Sequence, residues 1–115
     1  MAFVPGANYT LLWGGEDLTS QTPLNDTWTF SNGTWANLPI SGGPPGCAGS
    51  APPVMTYDVN NRSVLLIDGC DGPFGATWTF ASNTWTRQAA LPPGVSGHVT
   101  EGVSDPADGF VLFIG

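Results

Sequence analysis

The chain has 115 residues and a formal net charge of −7, with Arg62 and Arg87 as its basic residues and no lysine. Such a sequence has no basic cluster to neutralise phosphates, so nucleic acids and anionic membrane surfaces are not expected partners. Charged residues make up 10% of the chain and apolar residues 41%, a composition that is typical of a folded chain and does not imply disorder.

In chain order, the first strong signal is an apolar strand, residues 11–15, that closes on Gly14 and Gly15. Similar runs follow at residues 65–69, which closes on Gly69, and at residues 111–115. Between these runs the sequence Thr-Trp-Thr-Phe occurs twice, at residues 27–30 and 77–80. Its tryptophans are Trp28 and Trp78, and a further tryptophan follows each copy, Trp35 and Trp85. The two copies are 50 residues apart, which indicates a repeat architecture.

Each repeat is predicted to contain four antiparallel strands. Within residues 27–30 the threonines point to one face and the aromatic residues to the other, as in a strand with one apolar face. Ser31-Asn32-Gly33 and Ala81-Ser82-Asn83 fit tight hairpin turns. A further strand at residues 54–58 precedes the turn at Asn60-Asn61. Four such strands make a propeller blade, so the predicted fold is all-β, with about two blades and partial strands.

These signals resemble the kelch-like repeat of galactose-oxidase-type β-propellers, of the extracellular prokaryotic type. The resemblance rests on Gly14 and Gly15 after an apolar strand, on Tyr57 and Asp58 before a turn, and on the downstream Trp28 or Trp35. It covers essentially the whole chain. Asp68 and Ile114 replace the first glycine in the second and third copies, which leaves the backbone conformation at those positions open.

The repeat divides the chain into three predicted units. They are a partial first blade at residues 1–45, a full second blade at 46–93 and the first two strands of a third at 94–115. Met1 aligns with Met55, inside a first strand. Three interpretations follow: a piece of a longer polypeptide, one subunit of a ring or filament, or a small open β-sheet domain. We expect other blades of the same chain, or other copies of it, as partners.

Asparagine and cysteine residues bear on the compartment. Four Asn-X-Ser/Thr sites, at Asn8, Asn25, Asn32 and Asn61, exceed the number of about one expected by chance. All four lie in or beside predicted turns, where a glycan could be attached. Turns that favour asparagine for conformational reasons would also produce them. Cys47 and Cys70 are the only cysteines. A disulfide between them is predicted in preference to two buried free thiols, and it would indicate an extracellular or cell-surface location.

Side chains for catalysis or metal binding are few. His98 is the only histidine and is expected to be a packed strand residue rather than a catalyst. Acidic residues follow two of the glycine strands and could bind calcium, but they lack the spacing of a dedicated calcium loop and are expected to be solvated. They are Glu16, Asp17, Asp68 and Asp71. The sequence predicts no cofactor, metal or catalytic residue.

The repeating tryptophans are expected to pack between blades rather than to bind glycans. Phe74 and Trp13 are weaker candidates for ligand contact. We therefore expect a non-catalytic scaffold or a protein- or glycan-binding surface, with the loop from Glu16 to Asn25 as the first recognition candidate. Two alternatives stay open, namely the propeller domain of a larger secreted oxidase or sugar epimerase, and a structural subunit that assembles through strand edges. No apolar run reaches the length of about 20 residues that spans a bilayer.

Overall fold

The computed structural model describes residues 1–46, 53–69, 75–90 and 101–114. All the regular secondary structure in these described residues consists of β-strands, which confirms the predicted all-β class. The first sheet contains β1 (Ala2–Val4), β2 (Tyr9–Asp17), β3 (Thr22–Ser31) and β4 (Thr34–Leu38). The second contains β5 (Val54–Asp58), β6 (Ser63–Asp68), β7 (Ala76–Ala81) and β8 (Thr84–Ala90). β9 (Glu101–Asp105) and β10 (Phe110–Ile114) form a separate antiparallel pair.

Both four-stranded sheets are antiparallel meanders, in which each strand pairs with the next along the chain. The tight turns between their last two strands match the sequence prediction. Asn32 and Gly33 have φ values of 51° and 75°, and Ser82 and Asn83 have φ values of 51° and 59°. Two successive residues with positive φ are typical of the two-residue turn that follows the natural twist of a hairpin. The turns therefore fix the register of β3 with β4 and of β7 with β8.

The β2–β3 hairpin differs from the predicted loop. Residues 16–25 were expected to form a surface loop, but pairing continues to Asp17 and Thr22 and leaves a tip at residues 18–21. A bulge between Trp13 and Gly15 interrupts the register. There Gly14 and Gly15 have φ values of 73° and 116°, conformations that a residue with a Cβ adopts only with strain.

Asp68, which replaces the first of these glycines, takes a different conformation. It pairs regularly with Ala76 at the end of β6, and it does not appear among the residues with positive φ. At Asp68 the second strand of the second sheet keeps regular pairing, without the bulge that Gly14 and Gly15 accommodate in β2.

Each sheet has two unlike faces. Residues that pair directly on neighbouring strands, and residues two apart on one strand, point to the same side of a sheet, and we assign the faces by this rule. The aromatic face of the first sheet comprises Phe3, Leu12, Trp28, Phe30 and Trp35. The aromatic face of the second comprises Tyr57, Leu66, Trp78, Phe80 and Trp85. The threonine face of the first sheet comprises Ala2, Tyr9, Leu11, Trp13 and Thr27. Its counterpart in the second comprises Leu65, Ile67, Thr77 and Thr79.

The core lies where the threonine face of the first sheet packs on the aromatic face of the second. Leu11 and Leu66 are fully buried there. Trp13 and Trp85 meet edge to face, with ring centroids 6.4 Å apart. The segment after β4 also covers Trp85, since a Cβ on Gly43 would lie 3.0 Å from the Cδ1 atom of that indole. The first strands lie side by side, β1 next to β5 and β5 next to β9. The unit boundaries after residues 45 and 93 stay predictions.

Candidate interaction surfaces

The aromatic face of the first sheet is uncovered in the described part of the chain. Trp35 is 47% exposed and Phe30 is 37% exposed, and their ring centroids lie 4.9 Å apart. Trp28 is half-buried, and its indole N–H donates to the carboxylate of Asp26 at 2.5 Å. These side chains are held by β3 and β4, whose tight turn sets Phe30 directly opposite Trp35. The result is an exposed, largely aromatic surface on one side of the sheet.

The same positions in the second sheet are buried. Trp85 is 5% exposed and Phe80 is 2% exposed, and their ring centroids are 5.0 Å apart, much as in the first sheet. The indole N–H of Trp85 donates to the Thr27 hydroxyl at 3.0 Å, across the two sheets. Thr27 is itself buried. One polar pair therefore lies inside a mostly apolar interface and satisfies the hydrogen-bonding group that the Trp85 indole brings into it.

The expectation that repeating tryptophans pack between sheets is confirmed for Trp78 and Trp85. Trp28 is half-buried and Trp35 is 47% exposed, so for these two residues the expectation stays a prediction. Trp13, weighed as a ligand contact, is a core residue instead. The repeated sequence could not separate Trp35 from Trp85, because burial is set by the neighbouring sheet and not by the strand itself.

The tip of the β2–β3 hairpin is a second exposed surface. Leu18 at its apex is 85% exposed. The Asp17 carboxylate accepts hydrogen bonds from the backbone N–H groups of Thr19 at 2.9 Å and Ser20 at 3.4 Å, which shapes the turn. Close to the tip, a Cβ added to Gly46 would approach the Cβ of Pro23 to 2.9 Å. The outer part of the hairpin therefore contacts the segment after β4 and carries an apolar residue on an acidic tip.

The four predicted glycosylation sites occupy different environments. Asn8 and Asn32 are exposed residues in turns, with φ values of 60° and 51°. Asn61 also lies in a turn, and its amide donates to Asp58 at 2.7 Å. Asn25 is exposed but lies inside β3 rather than in a turn. The hydroxyl of its sequon, on Thr27, is the buried acceptor for Trp85.

The carboxylates thought to be solvated do not share one environment. Glu16 and Asp17 are exposed near the hairpin tip, whereas Asp68 is fully buried at the end of β6. The prediction of a solvated carboxylate is therefore wrong for Asp68. Among the described residues, no group of three or more histidine, cysteine or acidic side chains could hold a metal ion. The remaining candidates lie outside the described residues; they are Cys47, Cys70, Asp71, Phe74 and His98.

Two tyrosines meet at the interface between the sheets. Tyr9 belongs to the threonine face of the first sheet and Tyr57 to the aromatic face of the second, and both pack against the core. Burial, and secondarily the charge of Tyr57, raise the pKa of Tyr9 above its ordinary value. Tyr57, predicted as a structural residue of the repeat, thus lies at the sheet interface. Gly69, another such residue, follows β6 in a turn.

No family model, curated protein or solved structure matches the chain. In the part of the chain that the structure describes, no helix has the length and apolar character needed to cross a bilayer.

Proposed function

We propose that the chain is a non-catalytic segment of a kelch-like β-propeller from a secreted or cell-surface protein, which serves as a scaffold and presents a surface for protein or glycan binding. One observation carries the scaffold part of the proposal. The two sheets stack through unlike faces, the threonine face of one on the aromatic face of the next. Serial stacking of this kind is the packing that radial arrangement of blades requires.

The unlike faces separate this arrangement from a two-layer sandwich. In a sandwich each sheet buries one face against its partner and leaves the other polar and solvated. Here the second sheet buries side chains on both faces, with Trp78 and Leu66 on one and Ile67 on the other. A sheet buried on both faces needs a neighbour on each side. The adjacent first strands β1, β5 and β9 fit three successive units around a common axis.

The binding part of the proposal rests on the hairpin tip. Loops and hairpins that project from a rigid scaffold are the usual positions of recognition residues. Leu18 is almost fully exposed, and the Asp17 carboxylate orders the turn around it. An ordered apolar residue flanked by acidic groups suits a protein partner with an apolar pocket and a basic rim. The glycan alternative would draw on the hydroxyl groups of Thr19 and Ser20.

The test compares two exposed apolar residues. The full chain, Leu18→Ser and the control Val59→Ser would be applied to immobilised glycans and to purified extracellular proteins. Val59 is also exposed but lies in the turn after β5, away from the hairpin tip. We expect Leu18→Ser to weaken binding by about tenfold or more, as the loss of an interface anchor does, while Val59→Ser binds normally. Absence of binding to both panels, or equal binding by both variants, would overturn the recognition role.

A further inference from the structure

We infer that the aromatic face of the first sheet is a docking face for a further sheet of the same repeat, and that Trp35 donates its indole N–H to a threonine hydroxyl on that sheet. The docking extends the stacked-sheet part of the proposed function and is independent of ligand binding at the hairpin. The occupant is defined by its chemistry: an antiparallel sheet with leucine on its second strand and threonine on its third, facing the aromatic residues.

The interface already present within the chain supplies the template. Phe80 and Trp85 on the second sheet occupy the strand positions of Phe30 and Trp35 on the first. The two ring pairs have nearly the same geometry, with centroids 5.0 and 4.9 Å apart and interplanar angles of 53° and 46°. Burial is the main difference between them. The aromatic face of the first sheet is therefore preformed for the partner that the second sheet already has.

The hydrogen bond identifies the matching surface. In the covered copy, the indole N–H of Trp85 finds its acceptor in the buried Thr27 hydroxyl, beside the apolar side chain of Leu11. An equivalent acceptor for the Trp35 indole N–H would have to lie among apolar side chains on the face of a sheet. A glycan would present many hydroxyl groups to the rings and would leave several of them buried without partners. A threonine face presents one hydroxyl where one is needed.

A second copy of the chain is a poorer occupant, because the threonine face of its first sheet is already in use. Thr27 and Leu11 of the first sheet are covered by the second sheet. On the second sheet the same face is partly covered, since Ile67 is buried and Thr77 and Thr79 are half-buried. We therefore assign the docking face to another unit of the repeat in the same polypeptide. It continues an interface that the chain already contains.

A tandem protein tests this directly. Residues 1–54 would be placed ahead of the full chain, so that Met1 follows residue 54 as Met55 does in the chain itself. The added sheet then precedes the original first sheet, through the same connecting segment that joins the first sheet to the second. Hydrogen exchange of the Trp35 indole in the original first sheet would be measured by NMR, with the signal assigned from a Trp35→Phe variant.

We expect exchange of this indole N–H to slow by about tenfold or more in the tandem protein, because docking buries and bonds it. Thr27→Val in the added copy alone should remove most of that protection. Unchanged Trp35 exchange, in a tandem protein whose Trp85 stays protected, would overturn the inference. Leu18-dependent binding in the same tandem protein reports separately on the hairpin, so a failure of the docking face and a failure of ligand recognition give different results.

The unmodified chain provides a second test that does not require the tandem protein to fold. Trp35 exchange would be followed across a concentration series together with sedimentation equilibrium. If the chain is a monomer and Trp35 exchange does not depend on concentration, the result supports a docking face that is not covered by a second copy. Slower exchange in step with dimer formation would show that a second copy is the occupant and would overturn the assignment.

Discussion

Substitution of Thr27 by valine should destabilise the chain, because it leaves the indole N–H of Trp85 without a hydrogen-bond acceptor. Valine matches threonine closely in shape but removes the hydroxyl that accepts the Trp85 indole N–H at 3.0 Å. Both residues are almost fully buried, at 3% and 5% exposure. An indole N–H left buried without an acceptor costs about 1–3 kcal/mol. In a domain of this size that lowers Tm by about 4–12 °C.

A double-mutant cycle isolates the hydrogen bond from the loss of packing. Trp85→Phe removes the donor and part of the ring, so it costs the bond and a cavity term, about 2–4 kcal/mol together. In the double variant Thr27→Val/Trp85→Phe neither partner is left unsatisfied. We expect the two single costs to exceed the cost of the double variant by about 1 kcal/mol. Urea unfolding followed by circular dichroism would give all four free energies of unfolding.

Trp35→Phe is the matched control, because it makes the same chemical change at the same strand position of the first sheet. Trp35 is 47% exposed, so its substitution should change the free energy of unfolding by less than about 0.5 kcal/mol. An equal cost for Trp35→Phe and Trp85→Phe would refute the unequal burial of the two sheets. A coupling energy near zero between Thr27 and Trp85 would refute a stabilising hydrogen bond between these two side chains.

Three further predictions concern other parts of the fold. Because burial raises the pKa of Tyr9 above 10.0, the contribution of Tyr9 to the free energy of unfolding should be fully present below that pH and should fall as the pH rises above it. Tyr9→Phe should therefore reduce the alkaline decline in stability, and an identical pH profile would contradict its burial. Gly15→Ala should lower the free energy of unfolding, measured in urea, by about 1–2 kcal/mol, since Gly15 has a φ of 116°. Gly6→Ala, with open space around it, should leave the free energy of unfolding unchanged. An oligosaccharyltransferase acting on the folded chain should modify Asn32 and spare Asn25, whose sequon threonine is buried; a glycan on Asn25 in peptide mapping would contradict this.

The sequence was a good guide to the strands and to the tight turns. The alternation of threonine and aromatic residues at Thr77 to Phe80 predicted β7, and Asn32 and Gly33 predicted a turn that needs positive φ. Local patterns of this kind depend on residues close in sequence, so they can be interpreted without the rest of the molecule.

Two features could not be predicted because they depend on distant residues. The extension of the first hairpin has no alternating apolar pattern, since its residues 16–23 are mostly polar and exposed, and it is held by backbone pairing and by the contact of Pro23 with Gly46. The unequal burial of Trp35 and Trp85 depends on which sheet lies against each. The burial of Asp68 could not be predicted for a similar reason, because a carboxylate beside a turn is usually solvated, whereas Asp68 is buried by the packing around β6.

Indole hydrogen exchange in the unmodified chain is the most direct test of stacking through unlike faces. The five tryptophans give separate indole N–H signals, and substitution to phenylalanine identifies the two that matter. The account predicts slow exchange at Trp85, which is buried and bonded to Thr27, and fast exchange at Trp35 on the open aromatic face. Equal rates at the two positions, or slower exchange at Trp35, would contradict it.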